Sequence, residues 1–138
     1  MASIVAANHT VVDVTTLNDW KMLLAKPAEL VVIFFWAEFH QPSKKGGQID
    51  TLYTALSKKH TSVKFVKVDV EQVPDIVDMY PVTDVPTFVF LRPGPNVTVL
   101  GTLEGVHPAE LASSITKHLQ SSVAAASVEM EKRLKKLV

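Results

Sequence analysis

The run Leu30-Val31-Val32-Ile33-Phe34-Phe35-Trp36 most narrows what this chain can fold into. It is apolar at every position and rich in β-branched and aromatic side chains. A strand with one wet face would alternate apolar and polar residues. An unbroken run of this length reads as a strand buried on both faces, in the middle of a sheet covered by helices. Even extended to Ala37 it falls far short of the roughly 20 apolar residues of a transmembrane helix. The 138 residues suit one domain with one core.

The flanking patterns supply the rest of such a sheet. Val11, Val12 and Val14 form a short first strand. Thr16 is placed to cap a helix over Leu17–Ala25, whose Leu17, Trp20, Leu23 and Leu24 recur at helical spacing, and Pro27 ends it. After the central strand, a helix is expected from just past Pro42 to Lys59, with Ile49, Leu52, Tyr53 and Leu56 on its apolar face. Val63–Val70 is the next strand, and strand–helix–strand implies parallel pairing. A short helix over Val73–Met79, a strand over Thr87–Leu91 and another over Val97–Leu103 follow; the Pro/Gly turn between these two strands makes them antiparallel. A helix opening at His107-Pro108 carries Leu111, Ile115 and Leu119 on one stripe. The order is β-α-β-α-β-α-β-β-α: an α/β fold, a mixed five-stranded sheet flanked by four helices.

Two segments resemble the thioredoxin family. Phe35-Trp36-Ala37-Glu38-Phe39-His40-Gln41-Pro42-Ser43-Lys44 is similar to its active-site segment, and Val85-Pro86-Thr87-Phe88 to its cis-proline loop. Lys67, Pro74, Tyr80 and Gly105 also fall where thioredoxins carry those residues, so the resemblance spans residues 11–120. It implies the thioredoxin fold. The departures bear on function. His40 and Ser43 stand at the two cysteine positions of the family, and Phe34 stands where it buries an aspartate that manages the second thiol's proton. The chain has no cysteine at all. It therefore has no thiolate nucleophile, disulfide or Cys-ligated metal of its own, and its residues cannot run disulfide exchange. The expectation is a chain that is not an enzyme, with a degenerate active site at His40, Gln41, Pro42 and Ser43.

A His–Ser pair also suggests a hydrolase, but no acid is placed to orient His40 and no Gly-rich nucleophile elbow is present. Expected at the positive end of the following helix, His40 would be disfavoured as imidazolium and Ser43 would satisfy backbone groups. The other histidines show no ligand spacing to His40, so no metal site is expected. Gly46-Gly47 falls inside the expected helix, where each glycine costs about 1 kcal/mol relative to alanine. It reads as tolerated drift rather than as a closely packed turn.

The net charge is 0, with 14 basic and 14 acidic residues. That gives no electrostatic footprint for nucleic acid or an anionic membrane. No secretory or transit signal is apparent, so a cytoplasmic setting, with the nucleus as a second, is expected. Residues 120–127 are Ser/Ala-rich. Beyond them Met130, Leu134, Leu137 and Val138 begin a new amphipathic pattern. The reading is a domain over 1–120, then a linker and the start of a truncated downstream domain over 121–138. This tail, with Glu104–Leu111, resembles the PICOT-type (glutaredoxin 3-like) multidomain monothiol glutaredoxins. The resemblance implies a redox-inactive interaction or targeting domain in a protein of iron and iron–sulfur homeostasis. It also implies that glutathione and a [2Fe–2S] cluster belong to the downstream domain, with no cofactor on this chain. The alternative is a thioredoxin-type disulfide oxidoreductase whose cysteines were lost or engineered out. The partners expected are unidentified proteins and the downstream glutaredoxin domain in cis. The candidate binding groove comprises Trp36, Phe39, His40, Pro42, Asp84, Val85, Pro86 and Thr87, since extended backbone can pair there without a thiol.

Overall fold

The computed structural model describes residues 11–26, 28–40, 44, 46–80, 82–94 and 97–120. The elements run β1 (Val11–Asp13), α1 (Leu17–Ala25), β2 (Leu30–Trp36), α2 (Gln48–Lys59), β3 (Val63–Asp69), α3 (Pro74–Val77), β4 (Thr87–Arg92) and β5 (Thr98–Glu104). A last helix, α4, covers 108–120. The sheet order is β1-β3-β2-β4-β5. β1 and β2 both pair parallel with β3, β4 runs antiparallel to β2, and β5 antiparallel to β4. The C-terminal ends of β1, β2, β3 and β5 and the start of β4 therefore meet at one end of the sheet.

The continuous apolar run becomes the central strand, and its side chains divide by parity. Leu30, Val32 and Phe34 join Ile49, Tyr53 and Leu56 of α2 and Leu111 and Ile115 of α4 on one face. Val31, Ile33 and Phe35 join Trp20 of α1 and Ile76 of α3 on the other. Burying a side chain as large as Phe or Leu contributes about 1.5–3 kcal/mol, so β2, fully buried from Leu30 to Phe35, is the main packing element of both layers. Thr16 caps α1 as its sequence suggests, its Oγ1 accepting the Asp19 N–H at 3.0 Å. Lys64 of β3 satisfies the other end of α1, donating to the carbonyls of Leu23 (2.9 Å) and Lys26 (2.8 Å).

The second helix differs from expectation. α2 opens at Gln48 with Gly47 as its N-cap. Gly46 ahead of it has φ +82°, and a Cβ there would meet nothing within 4 Å. The glycines are thus neither drift inside a helix nor a close-packing device. They form the helix entrance, Gly46 supplying a left-handed residue that β-carbon sterics disfavour by about 1–2 kcal/mol. Asp50 in the first turn accepts the Gly46 N–H at 2.9 Å. The short helix is also trimmed, to Pro74–Val77, and β5 runs one residue later at each end than its pattern suggests. A register shift at Phe90/Leu91 accompanies this last change.

Candidate functional site

The end of the sheet where β2 and β3 stop and β4 starts carries the candidate site. Phe39 and His40 leave β2 in a turn closed by the His40 N–H donating to Ala37 O at 3.1 Å. The Lys44 N–H then donates to His40 O at 3.0 Å. Phe39 is 71% exposed, an unusual position for so large an apolar side chain. Across from this turn lies the loop ahead of β4, in which the Val85–Pro86 peptide is cis. Thr87 Oγ1 donates to Asp84 O at 2.6 Å, and the Gly105 N–H donates to Pro86 O at 2.9 Å, so the loop is pinned from β4 and from the end of β5. Between turn and loop is an open groove of about 440 Å³, lined by Phe39, His40, Val70, Val77 and the segment Val82–Val85.

The expected site residues separate into three groups. Phe39, His40, Asp84 and Val85 come together on the groove. Pro86 and Thr87 are buried, Thr87 completely, and hold the loop from below. Trp36 lines a different cleft, of about 580 Å³, with Asp13, Asp50, Lys67 and Asp69. Gln41, Pro42 and Ser43 lie outside the described residues. The dipole argument for His40 and Ser43 concerns a segment that lies mostly outside the described residues; α2 as described begins at Gln48.

Position 34 lies among aromatic rings on the face of the sheet covered by α2 and α4. Phe34 is fully buried and stacks on Phe88 (centroids 4.8 Å apart), with Tyr53 edge-on at 5.0 Å. Tyr53 is itself held at the β2–β3 junction. Its hydroxyl lies 2.8 Å from Val32 O and 2.9 Å from Val66 O, and accepts the Val66 N–H at 3.0 Å. Burial pushes the Tyr53 phenol well above its usual range, so it stays protonated there. Lys67, register partner of Phe34, is 7% exposed. Its ammonium pairs with Asp50 at 2.5 Å and lies 4.8 Å from the centre of the Trp36 ring. Asp50 thus serves Lys67 with one carboxylate oxygen and Gly46 with the other.

Sequence reasoning missed Asp50 and the groove walls Val70, Val77 and Val82. Asp50 had one signal: a lysine between Val66 and Val68 in a buried strand requires a carboxylate partner. The valines had none, because each ends or follows an element and only the chain reversal around α3 brings them together.

A family model described as thioredoxin matches residues 11–117. The chain is 31% identical to mouse Glutaredoxin-3 over 92% of its own length, but spans only 38% of that protein. It is 37% identical to Monothiol glutaredoxin-S17 of Arabidopsis thaliana over 69% of its length, spanning 18% of that protein. It is also 32% identical to Thioredoxin H-type 2 of Nicotiana tabacum, covering 85% of this chain and 97% of the tobacco protein. Among solved structures, the reduced thioredoxin pre-protein of Schistosoma mansoni superposes with a TM-score of 0.70 at 28% identity, over 80% of this chain and 99% of that one. The five-stranded order, the cis-proline loop and these matches agree, and the chain belongs to the thioredoxin family.

Proposed function

We propose that this domain is a redox-inactive docking module that binds protein partners through the groove between Phe39-His40 and Val82–Val85. The observation that carries the reading is that apolar groove of about 440 Å³, open beside an intact cis-proline loop in a chain with no thiol. The packing at position 34 supports it. Phe34 packs on Phe88 and Tyr53, so position 34 offers no buried acid to manage a thiol's proton. The likeness to Glutaredoxin-3 and Monothiol glutaredoxin-S17 supports a wider role: targeting within a monothiol glutaredoxin of iron–sulfur and iron homeostasis, in the cytoplasm and nucleus. In that role glutathione and a [2Fe–2S] cluster sit on a downstream domain, and this chain carries none. Binding of a full-length partner should fall at least about tenfold in Phe39→Ser and Val85→Asn, each removing one apolar wall. Unchanged affinity in both would move the docking site elsewhere.

One observation favours a second reading: the match to tobacco Thioredoxin H-type 2 covers nearly all of that protein. In this reading the chain is a disulfide oxidoreductase that has lost its cysteines. Insulin reduction by His40→Cys/Ser43→Cys at the rate of a thioredoxin would establish it.

A further inference from the structure

The net charge of zero conceals a strong segregation. Nearly every acid between residues 11 and 120 belongs to the end of the sheet that carries the groove; among the described residues Glu29 is the acid at the other end. The opposite end holds the last turns of α1, α2 and α4, with Lys26, Lys58, Lys59 and Lys117. Lys64 and Arg92 close it at the start of β3 and the end of β4. Asp84 lines the groove itself; Glu71 follows the wall residue Val70 and Asp78 follows Val77, and all three acids are exposed, whereas Glu38 lines the Trp36 cleft. Among the described residues no lysine or arginine lines the groove. Lys67 is committed to Asp50, and Lys44 lies in the turn after His40.

We infer that the partner segment is basic: an extended peptide whose apolar side chains enter the groove while flanking lysines or arginines meet Asp84 and the neighbouring Glu71 and Asp78. This rests on the docking role proposed above and adds the chemistry of what docks. Acids on the rim of an apolar groove stay solvated until a partner arrives. They steer a cationic segment inward and repel an anionic one, so the charge pattern sets the choice of partner while the valines and Phe39 hold it.

The test uses the full chain and two labelled peptides with the same Val/Leu centre, one flanked by arginine pairs and the other by glutamate pairs. The arginine-flanked peptide should bind at least about tenfold more tightly, and its advantage should shrink as salt rises and the screening length falls below about 10 Å. Asp84→Asn and Glu71→Gln should each slow its association by about threefold with little change in dissociation, as expected for rim charges. Phe39→Ser should speed dissociation of both peptides. Equal affinity for the two peptides, tighter binding of the glutamate-flanked one, or no binding of either overturns the inference. If both bind equally and Phe39→Ser still weakens them, the groove reading survives and only its charge assignment fails.

Discussion

Phe34 faces two neighbours with opposite requirements. The rings of Phe88 and Tyr53 fill its hydrophobic side, and the Lys67 ammonium lies 5.8 Å from its ring centre. A lysine so placed needs a carboxylate, and with phenylalanine at 34 that carboxylate is Asp50. Breaking the pair strands a buried ammonium, so Asp50→Ala should destabilise the domain by roughly 3 kcal/mol in urea titrations. Lys67→Met/Asp50→Leu should restore most of that loss, because an apolar pair removes the desolvation penalty along with the charges. Phe34→Ala should cost about 3–5 kcal/mol through lost burial and the cavity left behind.

His118 gives a second prediction at this scale. Its ring lies 4.8 Å from that of Phe90, and a Cβ on Gly101 would come within 3.0 Å of its Nε2. Burial, then the charge of Lys117, lowers the imidazole pKa below its usual 6.5; His60 is lowered in the same way by burial and Lys59. A histidine that binds its proton less readily when folded contributes stability that is present above pH 6.5. That contribution is lost as pH falls through the folded-state value. The urea midpoint should therefore drop between pH 7.5 and pH 5, and His118→Gln should flatten that drop. A midpoint that rises on acidification would contradict the assignment. Gly101→Ala should cost about 1–2 kcal/mol at pH 7.5 by pushing the ring off Phe90.

Among the elements, the start of α2 decides the most. The apolar stripe Ile49, Leu52, Tyr53, Leu56 locates this helix, but a stripe says nothing about where the first turn begins. Gly46, in the left-handed region, and Gly47, capping without a side-chain hydrogen bond, set that point eight residues after His40. Gly46→Ala should destabilise by about 1 kcal/mol, with Gly46→Asn milder, since asparagine tolerates this backbone. Gly47→Ser should gain a few tenths of a kcal/mol by supplying a cap oxygen. Chemical denaturation of the three variants checks the order. The ends of α3 and β5 were less legible for a related reason: Val73 and Val97 extend the apolar patterns, while pairing and the β4–β5 register shift decide which residues belong to the element.

Across the whole molecule, the absent thiols and the phenylalanine at 34 both remove support for disulfide exchange. Restoring the cysteines alone should then not restore activity. His40→Cys/Ser43→Cys should reduce insulin at least about 100-fold more slowly than a thioredoxin, since the acid that manages the proton does not return with the sulfurs. Turbidity assays against a thioredoxin control decide this, and a rate within tenfold would favour the oxidoreductase reading. What persists is the surface, with its pinned loop and an open groove.

The amino-acid sequence by itself determined the sheet's centre, the element order, the family and the loss of thiol chemistry. Those follow from local pattern: an unbroken β-prone run, periodic helices, a Val-Pro-Thr loop and an empty cysteine count. Only the tertiary structure decided that Trp36 turns away from Phe39, that Asp50 answers Lys67, and that Val70, Val77 and Val82 wall the groove. It also gathered most of the described acids at one end of the sheet. These depend on which strand ends share an edge of the sheet, and strand direction is fixed by long-range pairing that no local pattern encodes.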